Sequence, residues 1–299
     1  MKCALIGTSK IAEVHLNELI KIGAKKIIII SRNLNKGKNL CAKYKFQFPK
    51  ITFDYAKKEI LKSQKFDLID ICSSNNTHDL FLRYIHKSNS IILIEKPIIS
   101  LIKFDQKYKK FLDKIYKNNK KLVVCYPMIF LAKHFKKYFK DNSKPDNFTF
   151  LFKTGGRYKK KYINIDLMPH ALAFIYSFFS NKLLLKKELK INRIKIRENE
   201  WKSTFNLNRK KFLIDLSEKK KKRTSLIIKY SGKKIIRKTK KINNKFTNFL
   251  IYKNKQRQIK NPMSEFFNDL KKNKHKKIFF KRNKELTYQI MDLNFKFLN

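Results

Sequence analysis

The sequence predicts two fold classes in succession: an α/β domain on a parallel sheet over residues 1–122, then an α+β domain with a mostly antiparallel sheet over residues 123–299. Three observations predict it. Up to about residue 125, apolar runs of strand length alternate with longer segments of helical period, the pattern of strands joined by crossover helices. Those runs are almost unbroken Ile, Leu and Val, as in strands buried on both faces. Beyond residue 123, strand follows strand with little helix between, which fits short antiparallel connections.

The first strand is KCALIG at 2–7, followed by an amphipathic helix, IAEVHLNELIKIG, that Gly23 closes. KKIIIIS is the second strand and LNKGKNLCAKYK the next helix. FDLIDICSS, SIILIEK and KLVVCYP read as further strands, separated by helices at THDLFLRYIHKS and FDQKYKKFLDKIYKNN. In the second half, NFTFLFKTGG, LKINRIKIRE, KKFLIDLSE, TSLIIKYSGKKIIRKT and NFLIYKN are strands, with a hairpin turn at Gly232. Helical period returns in MSEFFNDLKKN and NKELTYQIMDLNFKFL. No internal repeat or Pro/Ser/Gly-rich linker interrupts the chain, and the lysine run EKKKKR at 218–223 is its nearest approach to low complexity.

With 299 residues and 42% hydrophobic content the chain can build two cores. Its 73 basic and 22 acidic residues give a net charge of +51, which points toward a polyanion such as nucleic acid. A competing reading is codon bias: Lys, Asn, Ile, Phe and Tyr are abundant, while Gly and Pro number 6 each. The basic residues are dispersed among apolar ones, as on the solvated faces of ordinary elements, so no specific nucleic-acid partner is expected. Cys3, Cys41, Cys72 and Cys125 form no CxxC pair or regular framework, which indicates neither a metal site nor disulfides and suggests a reducing cytoplasm. No run of 18 uncharged apolar residues exists, so no membrane partner is expected.

Four stretches carry chemistry. The turn GTSKIA, Gly7 to Ala12 with Thr8, Ser9, Lys10 and Ile11 between, stands where a dinucleotide fingerprint has GxGxxG. Gly7 permits the tight turn, Ser9 and Ala12 are small enough for close approach, and the helix N-terminus favours phosphate. At the end of the second strand no acid awaits a ribose 2′-hydroxyl; Ser31 and Arg32 suit a 2′-phosphate, which favours NADP over NAD. Glu95, Lys96 and Pro97 close a buried strand, where ligands of open α/β sheets bind. A lysine beside a cationic nicotinamide there would have its pKa drawn down and could share in proton transfer. Asp166 and His170 lie four apart in a helical segment, with Pro169 suited to its first turn, so the carboxylate can orient the usual general acid/base. The plainer readings are a turn, a surface charge pair, and a helix cap beside a packed histidine.

Together these residues resemble the Gfo/Idh/MocA family, named for glucose-fructose oxidoreductase, inositol dehydrogenase and a rhizopine-catabolism protein. The resemblance rests on the glycine turn at 7–12, SSNNTH at 73–78, EKP at 95–97, the D-x-x-x-H at 166–170 and NPMSEFFNDL at 261–270. It implies a Rossmann domain, a second domain with an open, mostly antiparallel sheet, and NAD(P)-dependent hydride transfer on a sugar, nucleotide sugar or related hydroxyl or carbonyl compound. A homodimer or homotetramer is implied as well. By position, Lys96 and His170 resemble the catalytic lysine and the acid/base histidine, and Asp166 their acidic partner. Ser73, Asn75, His78 and Glu95 resemble contacts along the cofactor, and Tyr126 and Arg157 contacts to substrate. Ser9 replaces a common glycine, Ala173 stands where many members have an Asp, and VVCYPMIF lacks an Arg often found there, so substrate identity stays open.

Just ahead of Asp166, KTGGRYKKKYINID places Lys153, Arg157, Lys159, Lys160 and Lys161 after a glycine pair expected to give that loop freedom. A cleft rimmed by one charge concentrates the opposite one, so an anionic small molecule, a sugar acid or nucleotide sugar, is expected in preference to a neutral polyol. Two alternatives remain open: a polyanion-binding protein on a degenerate Rossmann scaffold, and a cofactor-binding relic without catalysis.

Overall fold

The computed structural model describes residues 1–99, 106–139, 147–179, 188–220, 224–242 and 245–298. The first two residues of the helix expected from residue 104, and the 221–223 part of the lysine run, lie outside them. The chain forms two compact units, Met1–Cys125 with Phe266–Thr287, and Tyr126–Glu265 with Tyr288–Asn299.

In the first unit β1 (Lys2–Ile6), α1 (Lys10–Lys21), β2 (Lys26–Ile30), α2 (Leu34–Gln47), β3 (Thr52–Ala56), α3 (Ile60–Ser63), β4 (Leu68–Ile71), α4 (His78–Ile85), β5 (Ile91–Ile94), α5 (Gln106–Asn118) and β6 (Leu122–Val124) follow in order. The strands make one parallel sheet in the order β3-β2-β1-β4-β5-β6. Every residue of β4 and β5 is buried, which is why those strands carry no polar alternation. Ser9 accepts the Ala12 N–H at 3.4 Å and so caps α1. At the other end of that helix Gly23 takes φ +100°. Strand β3 was not foreseen: only Phe53 of TFDYA is buried, because the strand lies at the sheet edge with β2 its sole partner.

Residues 266–287, expected in the second domain, belong to the first unit. The Phe267 ring stands edge-on to the His15 ring at 5.1 Å. Asn283 accepts the Val124 N–H at 2.8 Å and donates to the Val124 carbonyl at 3.0 Å, so its amide pairs the outer edge of β6 as another strand would.

The second unit holds α6 (Met128–Phe139), β7 (Asn147–Thr154), α7 (Lys161–Phe179), and strands β8 (Leu189–Arg197), β9 (Glu200–Leu207), β10 (Lys210–Glu218), β11 (Ser225–Tyr230), β12 (Lys233–Ile242), β13 (Lys245–Tyr252) and β14 (Lys255–Ile259). Helices α8 (Pro262–Asn273) and α9 (Lys277–Lys296) close the chain. The eight-stranded sheet runs β14-β13-β12-β11-β7-β10-β9-β8; only β7 and β10 pair in parallel. Three hairpins turn on residue pairs with positive φ, Asn208–Arg209, Ser231–Gly232 and Lys253–Asn254, whose twist matches that of the strands. Phe148 of β7 meets Phe174 and Phe178 of α7 at 6.3 and 5.3 Å, so an aromatic core joins this helix to the sheet.

Two expectations are corrected here. Helix α7 begins at Lys161, so Pro169 lies in its interior and not in its first turn. The proline forgoes its own bond toward the Ile165 carbonyl and its ring crowds that oxygen, yet the helix runs on to Phe179. The glycine pair also gives less freedom than expected. A Cβ on Gly156 would run into the Glu218 carboxylate, whose Oε2 accepts the Tyr158 N–H at 2.8 Å.

Candidate functional site

In the first unit the predicted residues gather at the carboxyl ends of β2, β1, β4 and β5, four adjacent strands. The chain leaves β1 and β4 in opposite directions, to neighbours β2 and β5, which makes the switch point where open α/β sheets bind ligands. Gly7 lies at this point with φ +125°. A Cβ there would stand 2.8 Å from the Cys72 carbonyl oxygen and 3.2 Å from the Ser73 nitrogen, so only glycine lets the turn come this close to the end of β4. Thr8 is half-buried, and Ser9, Lys10 and Ile11 are exposed at the start of α1.

After β2, Ser31 is half-buried and accepts the Asn33 N–H at 3.2 Å, while Arg32 is exposed. This strand end carries a guanidinium and no carboxylate. Past β4, Ser73 and Asn75 are half-buried, and the Ser73 hydroxyl accepts from Thr77 at 2.9 Å. His78 is buried between two carbonyls: Nδ1 lies 2.8 Å from Pro97 O and Nε2 3.0 Å from Ser73 O. Burial pushes its pKa down, against the pull of those carbonyls.

Glu95 and Lys96, each 9% exposed, leave β5. Behind them lies a cluster that sequence reasoning missed. His15, fully buried on the inner face of α1 with Ala12, Leu16 and Leu19, stands between two carboxylates. Its Nδ1 is 2.9 Å from Asp70 Oδ2 and its Nε2 is 2.8 Å from Glu95 Oε1. Burial alone would push the imidazolium pKa down; the charge and hydrogen bond of Asp70 carry it well above the usual histidine range. The Cys72 thiol donates to Asp70 Oδ1 at 3.3 Å, and burial pushes its pKa well up. Cys125 is pushed up to about 12, again by burial first and then by Glu95. These donor atoms lie within 4.8 Å of one another in two triads, His15 with Asp70 and Cys72, and His15 with Glu95 and Cys125. Both imidazole nitrogens already face carboxylates, which closes the cluster as a hydrogen-bond network. The signal in the sequence was Asp70 itself, a charge inside the buried run LIDI.

In the second unit α7 carries Asp166 and His170, four residues apart and both half-buried. The His170 ring meets Phe152 edge-on at 5.7 Å. Arg157 is exposed in a loop pinned by the Tyr158 bond to Glu218 and by the Lys160 N–H on the Glu198 carbonyl at 3.0 Å. Tyr126 is 1% exposed, which leaves little of it for a ligand to touch. Among the described residues no helix is long and apolar enough to cross a membrane.

A groove of about 940 Å³ at the amino ends of β1, β4 and β5, lined by residues such as Lys2, Phe66, Asp67, Tyr84 and Ser90, holds none of the predicted site residues.

The Gly7 cradle, the uncovered start of α1 and the basic end of β2 fit a dinucleotide. Comparisons with known proteins agree. Residues 1–129 match the model of the Gfo/Idh/MocA oxidoreductase family, described as an NAD-binding Rossmann fold. No curated protein matches the sequence. Among solved structures, a dehydrogenase (MviM) from Clostridium difficile superposes with TM-score 0.68 at 14% identity, over 100% of this chain and 99% of that one. KijD10, a 3-ketoreductase from Actinomadura kijaniata solved with NADP, gives 0.69 at 10% identity over 98% and 94%. A UDP-N-acetylglucosamine 3-dehydrogenase, GnnA, from Acidithiobacillus ferrooxidans gives 0.64 at 12% over 100% and 99%. At these identities the likeness is one of fold.

Proposed function

We propose, from the premise that this chain belongs through residues 1–129 to the Gfo/Idh/MocA family of NAD-binding oxidoreductases, that it reduces or oxidises an anionic sugar derivative with NADP. The observation that carries the reading is the alignment of strand ends. Gly7 leaves β1 with a cradle closed to any side chain, and Lys96 leaves β5, one strand beyond β4. Gly7, Thr8, Ser9, Lys10 and Ile11 would hold the pyrophosphate, Ser31 and Arg32 the 2′-phosphate, and Ser73 and Asn75 the nicotinamide half, with the buried His78 and Glu95 supporting the turns that carry Ser73 and Lys96. When bound, the cofactor supplies the hydride acceptor or donor.

The chain's own residues do the rest. Lys96 polarises the reacting oxygen with its charge, and His170 takes or returns that oxygen's proton, with Asp166 one helical turn away supporting the imidazolium. Arg157, held in a pinned loop, offers a planar fork to phosphate or carboxylate. The ketoreductase and the nucleotide-sugar dehydrogenase among the structural neighbours support a substrate of this class. A homodimer or homotetramer is the assembly we assign by the family resemblance.

The test is a panel of neutral sugars, sugar acids and nucleotide sugars assayed with NADPH or NADP⁺, beside cofactor titration by fluorescence. An anionic sugar should turn over. His170→Ala should lose on the order of 10²-fold in kcat, the usual range for a general acid/base, with NADPH binding within about three-fold of wild type. Arg157→Ala should raise KM for the anionic substrate, more at low salt than at high. Turnover unchanged by His170→Ala, or a neutral polyol as best substrate, would sink the corresponding part of the reading.

A further inference from the structure

His15, Asp70, Cys72 and Cys125 have no role assigned above, yet their cluster includes Glu95 and so touches the turn that carries Lys96. Glu95 is tied at both oxygens. Oε1 meets His15 Nε2 at 2.8 Å, and Oε2 accepts the backbone N–H of Lys96 at 3.2 Å. His15 belongs to α1, the helix whose first turn faces the expected phosphate, so one buried side chain joins the cofactor helix to the Glu95-Lys96 turn.

Proton bookkeeping defines the state of the cluster. A neutral imidazole has one N–H and one lone pair, and here both nitrogens face carboxylate oxygens. The lone pair would meet a filled orbital unless an extra proton is present, on the imidazole or on a carboxylate. Other groups facing His15 are the Cys72 and Cys125 thiols, held neutral by burial, and the edge of the Phe267 ring. Near Asp70 lies Cys3, its pKa also pushed up to about 12. Two buried anions with one cation are far less costly than two anions alone, and deleting the cation leaves an uncompensated charge.

We infer that His15 is a positioning residue of the oxidoreductase site: as an imidazolium it donates one N–H to Asp70 and the other to Glu95, and so holds the turn that presents Lys96. The inference rests on the proposed function for its effect on turnover, but two of its readouts do not. His15 bridges Asp70 and Glu95 through its two ring nitrogens. A glutamine there carries no charge and cannot supply the cation between the two carboxylates.

His15→Gln should lower kcat on the order of 10²-fold, the scale of a misplacement of about 1 Å, while KM and NADPH binding stay within about three-fold. With its cation gone, Glu95 should hold a proton more readily, so the acid limb of the kcat–pH profile should move to higher pH. His15→Gln/Glu95→Gln should remove that shift and recover about ten-fold of the lost turnover. Nitrogen-15 NMR of the wild-type imidazole should find both His15 nitrogens protonated at pH 8. Competitive acetylation by acetic anhydride, read by mass spectrometry, should change at Lys96 by at least about three-fold in His15→Gln and not at exposed lysines.

A neutral-imidazole spectrum at pH 8 would overturn the assignment, as would unchanged Lys96 acetylation in His15→Gln. The NMR measurement needs no variant and survives any folding defect. Should wild type transfer no hydride to any substrate, the proposed function falls, while the NMR and acetylation results still decide whether His15 holds the turn.

Discussion

Replacing Gly7 by alanine tests the cradle directly, because two separate costs can be worked from its geometry. At φ +125° a residue with a Cβ is strained by about 1–3 kcal/mol. The new methyl would stand 2.8 Å from the Cys72 carbonyl oxygen and 2.9 Å from its carbon, both backbone atoms that cannot swing aside. Moving them disturbs the Cys72 N–H bond to the Ile6 carbonyl and the Gly7 N–H bond to the Ile30 carbonyl, each 2.9 Å. Overpacking of this kind adds about 1–3 kcal/mol, for a total of about 2–6 kcal/mol. At roughly 2–4 °C per kcal/mol for units of this size, melting should fall by about 4–24 °C. NADPH affinity should fall at least ten-fold, since the backbone that approaches the phosphate has moved. Gly232→Ala is the control: its φ is +71° and no atom lies within 4 Å of the added carbon, so strain is its only cost. Calorimetry and fluorescence titration of both variants read the two effects. Equal melting losses for the two, or unaltered NADPH affinity in Gly7→Ala, would refute the reasoning.

Arg32→Ala removes the guanidinium at the end of β2 and should weaken NADPH by about ten-fold or more, a charge-assisted bond of about 1.5–3 kcal/mol, while NADH binding barely changes; equal loss of both would assign the residue to general binding. Gly156→Ala must displace the Glu218 carboxylate and strip the Tyr158 N–H of its partner, at about 1–3 kcal/mol. Tryptic cleavage after Arg157 should then quicken several-fold, and a cleavage rate equal to wild type would mean the loop is held elsewhere.

Legibility of the fold followed burial. The Ile, Leu and Val runs of β1, β2, β4, β5 and β6 announced themselves because nothing polar interrupts a strand covered on both faces, Asp70 excepted. Strand β9 did not: Trp201, Ser203, Phe205 and Leu207 point inward, and the serine at one inward position hid the alternation. Strand β14, KQRQI, has one buried residue, Ile259, and offers no pattern to read. Helix α6 was not foreseen, because the apolar residues Met128 to Leu131 follow the run of residues 122–126 directly past Pro127 and mask the helical spacing of the buried Met128, Leu131, Ala132 and Phe135. Among the candidate residues, Gly7, Lys96 and His170 were readable one at a time, since each follows or sits on a recognisable element. His15 and Asp70 were not, because their meaning lies in meeting across 55 residues of sequence, and a histidine on an apolar helix face suggests only packing.

The amide of Asn283 on Val124 bears on how this chain behaves among copies of itself. A parallel sheet of six strands has two open margins, and each is a row of hydrogen-bonding groups onto which a foreign strand can add. At β6 an incoming strand would have to evict an intramolecular amide that already uses the outward N–H and carbonyl of Val124. At β3 the margin is guarded by composition instead, with Lys50, Lys57 and Lys58 flanking a short strand that holds Asp54. For a chain this rich in isoleucine, the same strongly basic composition places charge beside an edge that would otherwise recruit its neighbours.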